Sequence, residues 1–356
     1  MNILYGVPGE GMGHATRSKV IIDFLLEQNH NVQVVSSSRA YQFLNKNFPK
    51  RVHEIEGMHF AFKNSKVSKT GTVLLNIKNA SKLLFQNFAE YLELKKNFKP
   101  DLVISDFETF TTLFAKKHDL PLLSIDNMQV INRCKLDIPI PSSEKNNYTI
   151  SKSIVKVKVP NAQHYFISSF FEAPVVKEDT TLVPPIVREA IIDAQIQVGD
   201  HILMYQSSSN ITKVTEVLHQ IPEYTFYVYG FNKDLVNKNI IFKTFSEDGF
   251  VSDLAAAKAV IANGGFSFLS EAVYLKKPVY SFPLQDQFEQ FVNASYIQKL
   301  GYGRHFEHLT ADNLKAFLFD IDKFTNNLAS YSQKGNEVLF ENLKAYFDTF
   351  YHNVLS

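Results

Sequence analysis

The sequence predicts an α/β protein in which two Rossmann-like, doubly wound domains face a shared cleft. Three observations predict it. With 356 residues the chain is too long for one ordinary core and suits two domains of about 150–180 residues each. Short apolar runs alternate with helix-period patterns through both halves, the grammar of βαβ units on parallel sheets. In each half a strand-like run ends in a glycine turn that opens at once into a helix pattern, at residues 9–13 and 264–265.

In the first half, residues 2–7 read as a strand, 14–28 as a helix, 31–36 as a strand and 39–47 as a helix. A long amphipathic pattern over 72–97 precedes a buried-type strand at 101–105, a helix at 109–118 and a strand at 121–125. The second half begins with a strand at 201–205, a helix at 211–220 and a strand at 225–229. A short helix at 252–257 follows, then a strand at 259–262, a helix at 266–275 and a strand at 278–282. Residues 170–187 carry Pro174, Pro184 and Pro185 with weak periodicity and read as a linker. The expected domains are therefore 1–170 and 188–335, with an amphipathic tail helix in 336–356. Doubly wound domains bind ligands at the carboxyl ends of their strands, here towards the cleft.

Composition narrows the classes. Lys and Arg total 37 against 36 Asp and Glu, so no global field draws nucleic acid. Cys134 is the sole cysteine, which excludes an intramolecular disulfide and a Cys-rich zinc site. No apolar run approaches the ~18 residues of a membrane span, and a cytoplasmic protein is expected. Asp320-Ile321-Asp322 has the shape of an acidic metal pair but sits in a helical pattern and reads as solvated surface.

The first turn is Gly9-Glu10-Gly11-Met12-Gly13-His14, followed by Arg17. A dinucleotide fingerprint would place a third glycine at position 14 and an acid at the end of the second strand. This chain has His14, and the strand ends Ser36-Ser37-Ser38-Arg39. Arg39 suits a phosphorylated ribose, so an NADP oxidoreductase stays among the alternatives. A histidine at such a turn can act as a general base, because free imidazole titrates near neutrality; capping its own helix is the other reading.

The second turn is Asn263-Gly264-Gly265-Phe266-Ser267, with Glu271 about one turn into the helix. Glycines admit a diphosphate to the backbone, and the helix dipole favours its charge. A carboxylate at Glu271 can accept two hydrogen bonds from a ribose diol, or it can simply serve the helix start. After the strand at 278–282 comes Gln285-Asp286-Gln287-Phe288-Glu289-Gln290, then Asn293-Ala294, planar polar groups suited to sugar hydroxyls.

Together these segments resemble the nucleotide-sugar half of GT-B glycosyltransferases, particularly MurG-like N-acetylglucosaminyl transferases and the UDP-sugar transferases of natural-product chemistry. The resemblance spans nearly the whole chain, with its specific motifs in the second half. It implies that Gly264, Gly265, Phe266 and Ser267 receive the diphosphate, that Glu271 binds the ribose, and that Glu289 and Gln290 hold donor-sugar hydroxyls. Ser207 and Ser208 sit where such enzymes place a small-residue loop against the phosphates, often as glycines. Phe245 matches a position whose backbone contacts the base. In the first half, Gly11, Gly13, His14 and Arg17 look like the loop whose histidine is often the base. Asp106 resembles the acid that orients it, or else caps the following helix. Asn127, with Gly11 and Arg17, is expected on the acceptor or sugar side, and Gly13 on the donor side.

The activity so implied is transfer of a sugar from a nucleotide-diphosphate sugar, expected to be a UDP-sugar, to an acceptor hydroxyl. Inversion follows if His14 is the base, and no metal or other cofactor is needed. Lys63, Lys66, Lys69, Lys78 and Lys82 lie amid Phe60, Phe62, Leu74, Leu75, Leu83, Leu84 and Phe85. Such a basic, amphipathic stretch suits the anionic inner face of a membrane and a lipid-linked acceptor, or else a core-facing helix with a solvated lysine face. A nucleotide-sugar hydrolase or epimerase on the same fold, and a non-catalytic sugar-nucleotide-binding protein, are the alternatives.

Overall fold

A computed structural model describes the chain apart from residues 10, 58–61, 64–65, 68–86, 207–209, 334 and 356. Ser207, Ser208 and most of the lysine-rich stretch at 57–97 therefore lie outside the described residues.

Two seven-stranded sheets carry the fold. The first contains β1 (Asn2–Gly6), β2 (Asn31–Ser36), β3 (Val52–Glu54), β4 (Leu102–Ser105), β5 (Leu122–Asp126), β6 (His164–Ser168) and β7 (Thr180–Val183). Their spatial order is β3-β2-β1-β4-β5-β6-β7, every pair parallel. β4 and β5 are buried along their whole length, so their sequences are continuous apolar and small-residue runs rather than alternating ones.

The second sheet contains β8 (His201–Tyr205), β9 (Thr225–Tyr229), β10 (Leu235–Asn237), β11 (Ile240–Phe242), β12 (Ala259–Ala262), β13 (Val279–Ser281) and β14 (Gly303–His305). The order is β10-β11-β9-β8-β12-β13-β14, parallel except for the edge pair β10–β11. In both sheets strand order reverses beside the strand that begins the half, between β1 and β4 and between β8 and β12. Loops leaving those strands diverge to opposite faces and open a crevice. The expected pair of Rossmann-like folds is present.

The linker expectation needs correction. Residues 170–187 are not a linker throughout, because Thr180–Val183 forms β7 against β6 and extends the first sheet. A four-residue edge strand between proline-rich turns is too short to show a period. The actual crossing follows Pro184 and Pro185. There Asn336 bonds the backbone of Val187 twice, accepting from its N–H at 2.9 Å and donating to its carbonyl at 2.8 Å. The outgoing and returning chains are thus pinned to each other.

The tail helix spans Glu337–Leu355. Leu339, Leu343 and Phe347, four residues apart, are buried in the first half's core with Ile3, Ile21, Ile22 and Leu25. Phe340 stacks on Phe24 at 4.1 Å. Beneath the cleft a single apolar cluster joins both halves: Phe171 stacks on Tyr296 at 3.6 Å, and Phe170 lies 5.9 Å from Phe266.

Candidate active site

β1 runs into the first glycine turn and then α1 (Met12–Glu27), whose N-cap is Gly11 with no side-chain cap. His14 therefore does not cap its helix. The neighbouring strand β4 ends at Ser105, and Asp106, which follows it, donates its N–H to the Gly6 carbonyl at 2.9 Å. Capping of the next helix, α2 (Thr109–His118), falls to Glu108, which accepts from Phe110 and Thr111 at 2.7 Å each. Asp106 is left free for other work.

That work is a buried network. His14 Nδ1 lies 3.0 Å from Asp106 Oδ1. Asp106 is fully buried and also accepts from Ser18 Oγ at 3.0 Å, from Arg17 Nε at 2.9 Å, and from Arg17 Nη2. Burial alone would push this carboxyl up, but the charge of Arg17 and the hydrogen bonds from Arg17 and His14 outweigh it and hold it well below the usual carboxylate range. Arg17 Nη2 also approaches His14 Nδ1, at 2.7 Å; where Nδ1–H donates to Asp106, the opposite ring nitrogen Nε2 keeps a lone pair. That is the tautomer of a general base.

Arg17, expected on the acceptor or sugar side, lines the cleft but spends its donors on buried partners. It is 3% exposed and bonds Asp106 and, through Nη1, Asn127 Oδ1 at 2.5 Å. Its guanidinium balances Asp106 in the interior, where an unpaired carboxylate would be costly.

In the second half β12 opens through Gly264 and Gly265 into α3 (Phe266–Tyr274). Gly264 has φ +102°, and a Cβ there would sit 2.8 Å from the Gln290 carbonyl oxygen, so the turn demands glycine. At Gly265 a Cβ would meet nothing within 4 Å. Gly265 is also the N-cap of α3, again without a side-chain cap. The first amides of α3 are thus bare, beside open space. Ser267 faces Gly13 so closely that a Cβ on Gly13 would lie 2.4 Å from its hydroxyl. Two uncapped helix starts, one from each half, meet across the gap.

Glu271 is 6% exposed and receives Arg188, with Nε at 2.7 Å from Oε1 and Nη2 at 2.8 Å from Oε2. Each oxygen retains a second lone pair. Arg188 also reaches Glu247 at 2.9 Å. Nothing in the sequence marked Arg188, since its partner lies 83 positions away. Glu289 opens α4 (Phe288–Lys299) and accepts from Asn127 Nδ2 at 2.7 Å; Gln290 accepts from the Leu284 N–H at 3.0 Å. The Phe245 ring is half exposed and leans on Phe250 at 5.3 Å. Phe266, by contrast, buries its ring against Phe170 and has little side chain to offer a ligand.

One cleft of about 1620 Å³ lies between the halves, which Gly11, Gly13, His14, Arg17 and Asn127 line from one side and Gly265, Ser267, Glu271, Glu289 and Gln290 from the other; Asp106 lies buried behind His14. A wall unmarked in the sequence reading extends it into the first half, where Phe88 and Leu113 are exposed beside Tyr91 and Phe110.

Two Rossmann-like lobes, a cleft at their switch points and a tail helix returning to the first lobe define a GT-B glycosyltransferase. Residues 1–322 match glycosyl transferase family 1, and the chain belongs to that family. An uncharacterized glycosyltransferase of Methanosarcina mazei is 24% identical over 352 residues, covering 87% of this chain and 86% of the relative. Among solved structures, Phytolacca americana UGT2 complexed with UDP-2fluoro-glucose and pterostilbene has a TM-score of 0.66 at 12% identity, over 97% of this chain and 98% of that one. Acinetobacter baumannii MurG has a TM-score of 0.58 at 14% identity, over 96% and 99%. These structural likenesses concern the fold alone. Among the described residues no helix is long and apolar enough to cross a membrane.

Proposed function

We propose that this glycosyltransferase moves a sugar from a UDP-sugar to an acceptor hydroxyl with inversion, using His14 as the base. The observation that carries the reading is the pair of uncapped helix starts facing each other at Gly13 and Ser267, with the His14–Asp106 pair beside them. Bare amides at the start of α3 suit the diphosphate, and Glu271, oriented by Arg188, suits the ribose diol. Phe245 suits the base, and Glu289 with Gln290 the donor sugar.

The acceptor O–H gives its proton to His14 Nε2 as its oxygen bonds the anomeric carbon. The bond from that carbon to the phosphate oxygen breaks, and UDP departs with the electron pair. Charge on the leaving diphosphate meets fixed amide dipoles in a partly dry cleft, so the reaction needs no metal and should survive a chelator. The aromatic wall at Phe88, Tyr91, Phe110 and Leu113 favours an acceptor with an apolar body, and a lipid-linked acceptor at the inner face of a membrane fits that preference.

A thermal-shift screen of nucleotide sugars tests the donor side. A ligand at 100 times its Kd adds about 2.7 kcal/mol of stability. The best UDP-sugar should lose that shift in Glu271→Ala, and a screen with no hit removes the reading. UDP release at full rate without any acceptor would mark a hydrolase instead.

A further inference from the structure

Asn127 follows β5, is 4% exposed, and joins two groups that cannot bond each other through it in any other way. Its carbonyl oxygen accepts from Arg17 Nη1 at 2.5 Å, and its amide nitrogen donates to Glu289 Oε1 at 2.7 Å. A guanidinium only donates and an ionised carboxylate only accepts, so the neighbours dictate which way the amide points. An amide bridges them; an aspartate here would repel Glu289, and a leucine would leave Arg17 Nη1 without its partner and Glu289 with only the 3.4 Å contact from Asn293 Nδ2.

The line continues. Arg17 holds Asp106 through Nε and Nη2, and Nη2 also lies 2.7 Å from His14 Nδ1, the nitrogen that faces Asp106 at 3.0 Å. One ring nitrogen cannot both donate to Asp106 and accept from Arg17. If it donates, Nε2 is free to take a proton. If it accepts, the proton sits on Nε2 and His14 is no base. A chain of hydrogen bonds that starts on a carboxylate of the second half therefore ends on the atom that decides the competence of a residue in the first.

We infer that Asn127 and Arg17 are positioning residues that couple occupation of Glu289 by a donor-sugar hydroxyl to the tautomer of His14. The inference rests on the donor-sugar reading of Glu289 given above. A hydroxyl donating to Glu289 weakens its hold on Asn127, and Asn127 in turn loosens Arg17 Nη1. The guanidinium then settles on Asp106 and withdraws from His14 Nδ1, which donates to Asp106. The base is armed when a sugar is in place, so that an empty donor site does not prime the acceptor hydroxyl.

The test uses the full chain, labelled with ¹⁵N-histidine and free of ligand, at one fixed pH. The His14 ring signals are identified by their loss in His14→Gln. Glu289→Ala should move the His14 Nδ1 resonance upfield and Nε2 downfield, the signature of a proton moving to Nδ1. Glu289→Gln retains an acceptor for Asn127 and should match the wild type. In an Asn127→Ala background, Glu289→Ala should produce no further shift. The proposal is overturned if Glu289→Ala leaves the ring signals in place, or moves them equally with and without Asn127. Should Asn127→Ala not fold, Asn127→Ser, too short to span the gap, is read the same way. These spectra need no nucleotide sugar, so a failed coupling leaves the transferase reading intact, and a failed donor screen leaves the coupling measurable.

Discussion

Replacing Asp106 by asparagine removes one charge from the most enclosed ion pair described here. Asp106 is fully buried and Arg17 is 3% exposed, so water cannot replace the lost partner. Breaking a buried pair from one side typically costs about 3–5 kcal/mol. Asparagine keeps one acceptor oxygen for Arg17 Nε, which places the expected loss near the lower figure, about 3 kcal/mol. The pH dependence is equally specific. Folded Asp106 stays ionised well below the usual range, while an unfolded aspartate titrates near ~3.9. Its contribution is thus complete above about pH 5 and fades as the pH falls below the unfolded value towards the folded one. The gap between wild type and Asp106→Asn should be flat from pH 8 to pH 5 and narrow below pH 4. Urea unfolding followed by tyrosine fluorescence can read it, as the chain has 16 Tyr and no Trp. Turnover should fall on the order of 10²–10³-fold, because His14 loses the partner that selects its tautomer. A stability loss under about 1 kcal/mol, or a gap that persists undiminished to pH 3, refutes the account of Asp106 as the ionised counter-charge of Arg17.

Three further substitutions have outcomes set by the structure. Gly265→Ala should leave stability within about 0.5 kcal/mol, because its Cβ enters open space, yet weaken the nucleotide sugar about tenfold by crowding the α3 amides. Gly264→Ala should instead destabilise by about 1–3 kcal/mol, given φ +102° and the nearby Gln290 carbonyl; calorimetry with isothermal titration separates the two, and equal effects on stability would contradict the geometry. Lys277 is 2% exposed, donates to the Gln197 carbonyl at 2.6 Å, and is pushed down by burial to about 8. Since the unfolded chain holds that proton longer, wild-type stability should climb between pH 8 and 10.5 relative to Lys277→Met, by up to about 3 kcal/mol. Parallel pH profiles in urea unfolding would show that the ammonium is solvated.

The sequence by itself determined the two-sheet architecture and the two turns of the site. Apolar runs with a strand's length and helix patterns with a 3.6-residue period are local properties, and a glycine between them marks where the backbone must bend sharply. The turns before His14 and at Gly264-Gly265 were legible for that reason, while the roles expected of His14 and Glu271 came from the family resemblance. Short edge pieces such as β3, β7 and β14 were not, because three or four residues carry no period and take their strand character from a neighbour. Only the tertiary structure decided the roles of Arg17, Asn127 and Arg188. Their partners stand 89, 162 and 83 positions away, and nothing in a local pattern shows which buried charge will need which counter-charge. Pairing of that kind is set by where chain crossings and helix packing bring distant carboxylates. The cost of leaving any of them unpaired in the interior then selects the partner.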